Sequence, residues 1–375
     1  MKASRVVAAL GAVAVVGAII AWRMHERPER RPPLEGARGQ PPVLPSAAPT
    51  PPDAATPSRP PLLPPDDVEK GTLAEQREQL FARMQRDSGL SEAQLAAVRA
   101  IFQKSAVLSQ GNPKITRHPM TRSECWSMRE KAGLDSAAAL AKLARAESAC
   151  GARFMVPIPR VTQAAPEDVC IDQYEFPDIP CEYPVTFVSA KEASELCHAV
   201  GKRLCDAHEW EGACVGEMGE PDGEYLWDRP RRIEMEYFKN LNREKVWAYG
   251  PTKDHGKCAT ASRKSPKCGG GIWETCGSNT YPAGAFPECV SRIGVYDQHG
   301  NAAEHMNLPM NAEELGSRGG LGETEMKGSW FIFSRDEAHE DDCRWRAPAW
   351  HATRVDHPLS HLNYHLGFRC CKDLK

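Results

Sequence analysis

Four kinds of hydrophobic and polar pattern succeed one another along the chain. The first is an unbroken apolar run from Val6 to Trp22 with Lys2 and Arg5 before it, the layout of an export signal. The residues around Ile19, Ile20 and Ala21 lack the paired small side chains that a signal peptidase needs, and the run is within the tolerated length for a bilayer span of roughly 17 to 25 residues. An uncleaved signal anchor over 1–25 is therefore predicted in preference to a cleaved leader. The second pattern has no periodicity: 14 of the 31 prolines fall between Pro28 and Pro65, in a stretch almost without aromatic residues. Such a sequence builds no core, so 26–69 is read as a disordered spacer that holds the folded part of the chain away from the membrane.

The third pattern is helical. Thr72-Leu-Ala-Glu75 is a capping box whose helix carries Leu80, Phe81 and Met84 on one face and stops at Ser88-Gly89. Ser91-Glu-Ala-Gln94 opens a second helix with Leu95, Val98, Ile101 and Phe102 inward. Thr121-Arg-Ser-Glu124 opens a third, and the alanine-rich run from Ser136 to Cys150 a fourth, with Leu140 and Leu143 inward. Cys125 and Cys150 are placed to clasp these last two. This segment, 70–155, is read as a collar packed on the main domain, with a partner-binding arm as the alternative. From Val169 onward the pattern changes to short strands and glycine-rich turns. Only two more helices stand out, capped by Ser189-Ala-Lys-Glu192 and by Asp206-Ala-His-Glu209.

Composition narrows the function classes. With 47 basic and 50 acidic residues well mixed and a net charge of −3, the chain lacks the electrostatic footprint of a nucleic-acid binder. Its 14 cysteines contain no Cys-x-x-Cys, which disfavours zinc ribbons and thioredoxin-like sites, while an even count in an exported chain suits disulfides. The adjacent Cys370 and Cys371 are expected to have different partners. Arg23, Arg27, Arg30 and Arg31 follow the apolar run and favour keeping that side cytoplasmic. The cysteines demand the reverse, an oxidising compartment. They decide the reading: a single-pass membrane protein with its C-terminal domain outside the cytoplasm, periplasmic or at the cell surface.

Six stretches in one order carry a family resemblance. Pro184-Val-Thr-Phe-Val-Ser-Ala190 and Gly201-Lys-Arg-Leu-Cys-Asp-Ala-His-Glu-Trp-Glu211 come first, and Tyr281-Pro-Ala-Gly284 leads to Gly294-Val-Tyr-Asp-Gln-His-Gly-Asn-Ala-Ala-Glu304. Lys327-Gly-Ser-Trp330 and Gly367-Phe-Arg-Cys370 complete the order. Together they resemble the formylglycine-generating, sulfatase-modifying enzyme family. The resemblance implies an α+β, C-type-lectin-like, loop-rich domain over 165–375, often with bound calcium. It also implies, for members that make formylglycine, two cysteines four residues apart that bind copper(I) shortly before the closing Gly-Phe-Arg.

The stretch from Cys343 to Arg354 lacks that cysteine pair, so copper is not expected, and Cys343 is assigned to a disulfide with Cys370, Cys371 or another loop. The Gly-Asn-x-x-Glu turn of the family corresponds to Gly300–Glu304, which makes Asn301 and Glu304 the candidate calcium ligands, since hard oxygen donors suit that ion. The alternative is a purely structural turn in which Asn301 takes a left-handed conformation. His118 alone does not make an iron site. His357, His361 and His365, with His351 nearby, could meet only on a helix that Pro358 opposes. Trp210 and Trp330 are read as core, and Glu209 and Glu211 as capping and surface residues. Two functions remain open: an enzyme acting on an exported protein, or a non-catalytic binding or assembly module.

Overall fold

The computed structural model describes residues 71–161, 169–221, 225–227, 231–316, 322–348, 354–357 and 360–374. The expected anchor and spacer, 1–25 and 26–69, and also His351 and Pro358, lie outside the described residues. Among the described residues no helix is long and apolar enough to cross a membrane.

The helices begin where their capping boxes stand. α1 (Leu73–Arg83) starts at Thr72, runs into one π-helical turn, Met84–Ser88, and ends on Gly89 in the left-handed conformation. α2 (Glu92–Lys104) is capped by Ser91 and α3 (Arg122–Lys131) by Thr121, each with its reciprocal carboxylate or amide bond in place. α4 (Ala137–Cys150) starts at Ser136 and ends at Gly151. Later come α5 (Ala190–Ala199), α6 (Ala207–Val215) and α7 (Arg232–Asn242).

Among the described residues, seven short strands form two sheets. β1 (Met155–Pro157), β2 (Val169–Asp172), β3 (Arg203–Leu204) and β7 (Cys370–Asp373) make the first, in the order β1-β2-β7-β3 and antiparallel throughout. β4 (Ala303–Leu308), β5 (Glu323–Lys327) and β6 (Leu366–Phe368) make the second, in the order β5-β4-β6, where β4 and β6 run parallel. The architecture is therefore mixed helix and strand, with long loops between elements.

Leu80 and Phe81 of α1, Met84 of the π-helical turn, and Val98 and Phe102 of α2 pack into one apolar cluster with Val188, Leu196 and the stacked pair Phe176 and Phe368. The first helices are thus built onto the sheet-bearing region, and the described residues form a single compact unit. Removing this much apolar surface from water is the main stabilising term, at about 25 cal/mol per Å². α4 behaves differently. Its alanine-rich faces bury only Cys150 completely, and Leu140 and Leu143, expected inward, are half-buried. Small side chains cannot fill the space beneath a helix.

All 14 cysteines are paired, in seven disulfides: 125–181, 150–170, 197–370, 205–371, 214–343, 258–289 and 268–276. The expected clasp between Cys125 and Cys150 does not form. α3 is tied instead to the loop at Cys181, and the end of α4 to β2 at Cys170. Cys125 packs with Cys181 and Ala285, and Cys150 with Met155 and Cys170, in separate clusters, so sequence proximity was the wrong guide. Cys370 and Cys371 do take separate partners, Cys197 of α5 and Cys205 after β3, because successive side chains on β7 point to opposite faces. Cys343 joins Cys214 of α6, neither of the two partners first in line for it.

Candidate functional site

The motifs that carry the family resemblance converge on one buried arginine. Arg369 follows β6, and its side chain is wholly enclosed. Its guanidinium grips Glu304 of β4 with two bonds, Nε to Oε2 at 2.7 Å and Nη2 to Oε1 at 2.6 Å. The remaining donors reach the backbone carbonyls of Asp172 (3.1 Å) and Tyr296 (2.9 Å). Trp210 of α6 donates its indole N–H to Glu304 Oε2 at 2.9 Å. Three motifs distant in sequence are thereby locked together by charge-assisted bonds, about twice as strong as neutral ones.

Asn301 occupies the left-handed conformation with φ of 55°, which asparagine tolerates better than most residues. Its Oδ1 accepts the Tyr281 N–H (2.8 Å), and its amide donates to Glu175 Oε2 (2.6 Å). Glu175 also accepts the Ala302 N–H at 2.7 Å. Burial, with Asp297 and Glu304 nearby, holds the Glu175 carboxyl well above its ordinary range. Burial also pushes Asp297 up to about 7, against the Gly284 N–H and Arg369. Sequence reasoning missed Glu175. The signal was available in Cys170-Ile-Asp-Gln-Tyr-Glu-Phe176, where carboxylates set among apolar residues must be buried and partnered.

These contacts decide whether Asn301 and Glu304 fit calcium. The ion takes six to eight converging oxygens. Here both Glu304 oxygens face the guanidinium, and the Asn301 oxygen holds a backbone amide. The cation at this point is Arg369, so the pair fits a structural role rather than a calcium site.

A second cluster surrounds the disulfide of Cys214 and Cys343. His299 Nε2 lies 3.4 Å from Cys214 Sγ and 3.9 Å from Cys343 Sγ, and accepts the Ala248 N–H at 2.9 Å. That acceptor role places the ring proton on Nδ1, 4.0 Å from Asp341 Oδ2. Asp341 is held by the Trp247 indole N–H and the Ser329 hydroxyl, both at 3.0 Å. Burial depresses the His299 pKa although Asp341 opposes it, so the imidazole is neutral at pH 7. Sulfur, imidazole and carboxylate stand in the order of a nucleophilic triad. With both sulfurs joined, there is no thiol for the imidazole to activate. A similar grouping of Cys205, Cys371 and Glu209 is also closed, because its sulfurs are joined and Glu209 is paired with Arg203. His299 sits inside a motif quoted for the family, and its partners Asp341 and Cys214 are too far away in sequence to be linked to it by spacing.

The structure corrects the placement of Glu211. Expected on a surface, it is buried among Lys327 (2.9 Å), Arg346 (3.2 Å) and Lys239 (3.4 Å), which outweigh burial and hold its carboxyl well below the usual range. Glu209 keeps its capping role on Asp206 but is likewise enclosed. Trp210 and Trp330 are core residues, as expected. His357, His361 and His365 lie on irregular backbone, with His365 stacked on Trp330 at 4.9 Å, and share no helix face. His118 stacks on Tyr183 at 3.5 Å, its pKa lowered by burial to about 3.

A family model described as "Sulfatase-modifying factor enzyme 1-like domain" matches residues 161–374. Among solved structures, one titled "Crystal Structure of CarF" matches at 15% identity, covering 51% of this chain and 68% of that chain with a TM-score of 0.30, a superposition too loose to bear on function. No curated protein matches the chain.

Proposed function

Because the chain belongs to the sulfatase-modifying factor enzyme 1-like family, we propose that it is a member in which cysteine oxidation has given way to recognition: a stapled binding or assembly module held outside the cytoplasm by the apolar segment Val6–Trp22. One observation carries this reading. Every cysteine is consumed in a disulfide, including Cys343 in the region where the family's soft-metal ligands are expected. Copper(I) needs thiolates, and a disulfide offers none. The other motif residues are spent on structure, with Arg369, Glu304 and Trp210 satisfying one another.

The compartment is inferred from the same bonds. Seven disulfides form and persist in oxidising surroundings. Two small sheets with long connecting loops suit the C-type-lectin-like architecture that the resemblance implies, and in such a fold cross-links replace much of the stability that regular pairing gives elsewhere.

One specific observation favours the catalytic alternative: reducing the bond between Cys214 and Cys343 would leave two thiols beside the neutral His299. One experiment separates the two. The native protein is treated with an alkylating agent before and after denaturing reduction, and separately incubated with copper(I), oxygen and a cysteine-containing sulfatase peptide. No alkylation before reduction and no aldehyde in the peptide are expected. Aldehyde formation, or labelling of Cys214 or Cys343 in the native protein, overturns the recognition reading.

A further inference from the structure

The alanine-rich helix α4 does not close onto the sheet below it. Between them lies a groove of about 570 Å³, within the roughly 300 to 1,000 Å³ usual for small-molecule sites. Its apolar wall comes from Leu134 and Leu143 on one side and Val156 and Ile293 on the other, closed by the aromatic pair Tyr174 and Tyr296, whose rings stack 5.2 Å apart.

The charged residues of the groove are of one sign. Arg129, Lys142, Arg145 and Arg292 line it, and among the described residues no carboxylate does. Arg292 is paired with Glu217 at 2.6 Å, Arg129 donates to the Tyr174 hydroxyl at 2.9 Å and lies 3.4 Å from Asp135 Oδ1, and Lys142 and Arg145 supply the remaining positive charge. Two enclosed polar atoms of the lining remain without a partner: Nε of Arg129 and Oε1 of Gln173. Both side chains are more than nine-tenths buried. An unmet buried donor or acceptor costs about 1 to 3 kcal/mol. Of the two, only the Arg129 donor can be met by a carboxylate, which has no proton to give Gln173 Oε1.

We propose that this groove binds a free, single-chain apolar carboxylate, with its hydrocarbon body between α4 and the tyrosine pair and its charged end toward Arg129 and Arg145. The guanidinium fork matches a carboxylate in shape as well as sign. A peptide adding itself as a strand does not fit as well. The adjoining sheet edge is β1, only three residues long, and Pro157 within it has no N–H to offer. The proposal rests on the recognition reading and supplies the ligand class for it.

Decanoate is the probe, titrated by calorimetry into the disulfide-intact protein, with decanol as the uncharged control. Decanoate is expected to bind at one site, at least about tenfold more tightly than decanol, as the loss of a charge-assisted bond implies. Two variants at exposed positions test the location. Arg145→Glu is expected to weaken decanoate by about tenfold and leave decanol unchanged, and Ala149→Trp, which fills the groove from α4, is expected to abolish both. Unchanged thermal midpoints confirm that each variant is folded. Equal affinity for decanoate and decanol, binding that survives Ala149→Trp, or no heat with either probe overturns the proposal. Absence of binding with the cysteines still blocked leaves the recognition reading standing, whereas conversion of the sulfatase peptide sinks that reading whatever decanoate does.

Discussion

Two buried ionic centres use the same chemistry and arrive at opposite electrostatic outcomes. In the first, Glu182 faces Arg83 of α1 and Arg122 of α3 (2.8 Å) and accepts Gln110 at 2.6 Å, joining the N-terminal helices to the sheet region. In the second, Arg369 faces Glu304, with Glu175 and Asp297 beside it. The first has two cations for one carboxylate, and the second three carboxylates for one cation. Burial works against the charged form in both centres. The two arginines more than reverse that at Glu182, which falls to about 2, while Asp297 is left at about 7. Burial alone does not set the response of a buried acid to pH; the sign of the surplus charge around it does.

Three substitutions test that contrast. The largest effect is expected from Arg369→Leu, which leaves three enclosed carboxyls with no cation: a loss of about 3 to 5 kcal/mol in urea unfolding at pH 7. A loss that small surface pairs produce, below about 1 kcal/mol, would mean that these enclosed carboxyls need no counter-charge. Next comes Glu182→Gln, expected to cost about 2 kcal/mol at pH 7, since the amide keeps some hydrogen bonds but not the charge. The Glu182 value is depressed below 4.5 in the folded state, so its contribution is present at neutral pH and fades as pH falls from about 4.5 through about 2. The variant and the parent should therefore converge in acid; a gap that persists at pH 2 refutes the assignment.

Asp297→Asn should matter least at acid pH, where an amide and a protonated carboxyl are near equivalents. The folded Asp297 value of about 7 lies above its unfolded 3.8, so the native state retains a proton that the unfolded chain has released. Its stabilising contribution is full below about pH 4 and lost as pH rises through about 7. Thermal midpoints of the parent should carry this decline between pH 4 and 7. Those of the variant should be flatter, and an identical slope would remove Asp297 from the account.

Local features were legible in the sequence and distant ones were not. The capping boxes at Thr72, Ser91, Thr121, Ser189 and Asp206 work over three residues, and each starts its helix as expected. The partner of Cys125 depends on where α3 lies against the loop at Cys181, which no spacing encodes. Glu211 was misplaced because α6 is enclosed from Ala207 to Cys214, and a helix buried on all sides has no polar stripe to read. Asn301 and Glu304 were singled out, and Asn301 takes the left-handed conformation that the structural alternative gives it. What they hold could not be seen, because Arg369 and Glu175 lie 65 and 126 residues away.

The two neighbouring cysteines of β7 also set the order in which the domain can be completed. Their bonds reach back 173 and 166 residues, to Cys197 and Cys205, and every partner precedes them in the chain. A chain threaded through a membrane from its N-terminal side delivers Cys370 and Cys371 after all the other cysteines. Until they arrive, the two earlier thiols wait unpaired beside ten others that can already combine. If the chain is exported as proposed, a correctly bonded product depends on an isomerase or on slow oxidation to keep early pairings reversible until β7 is in place.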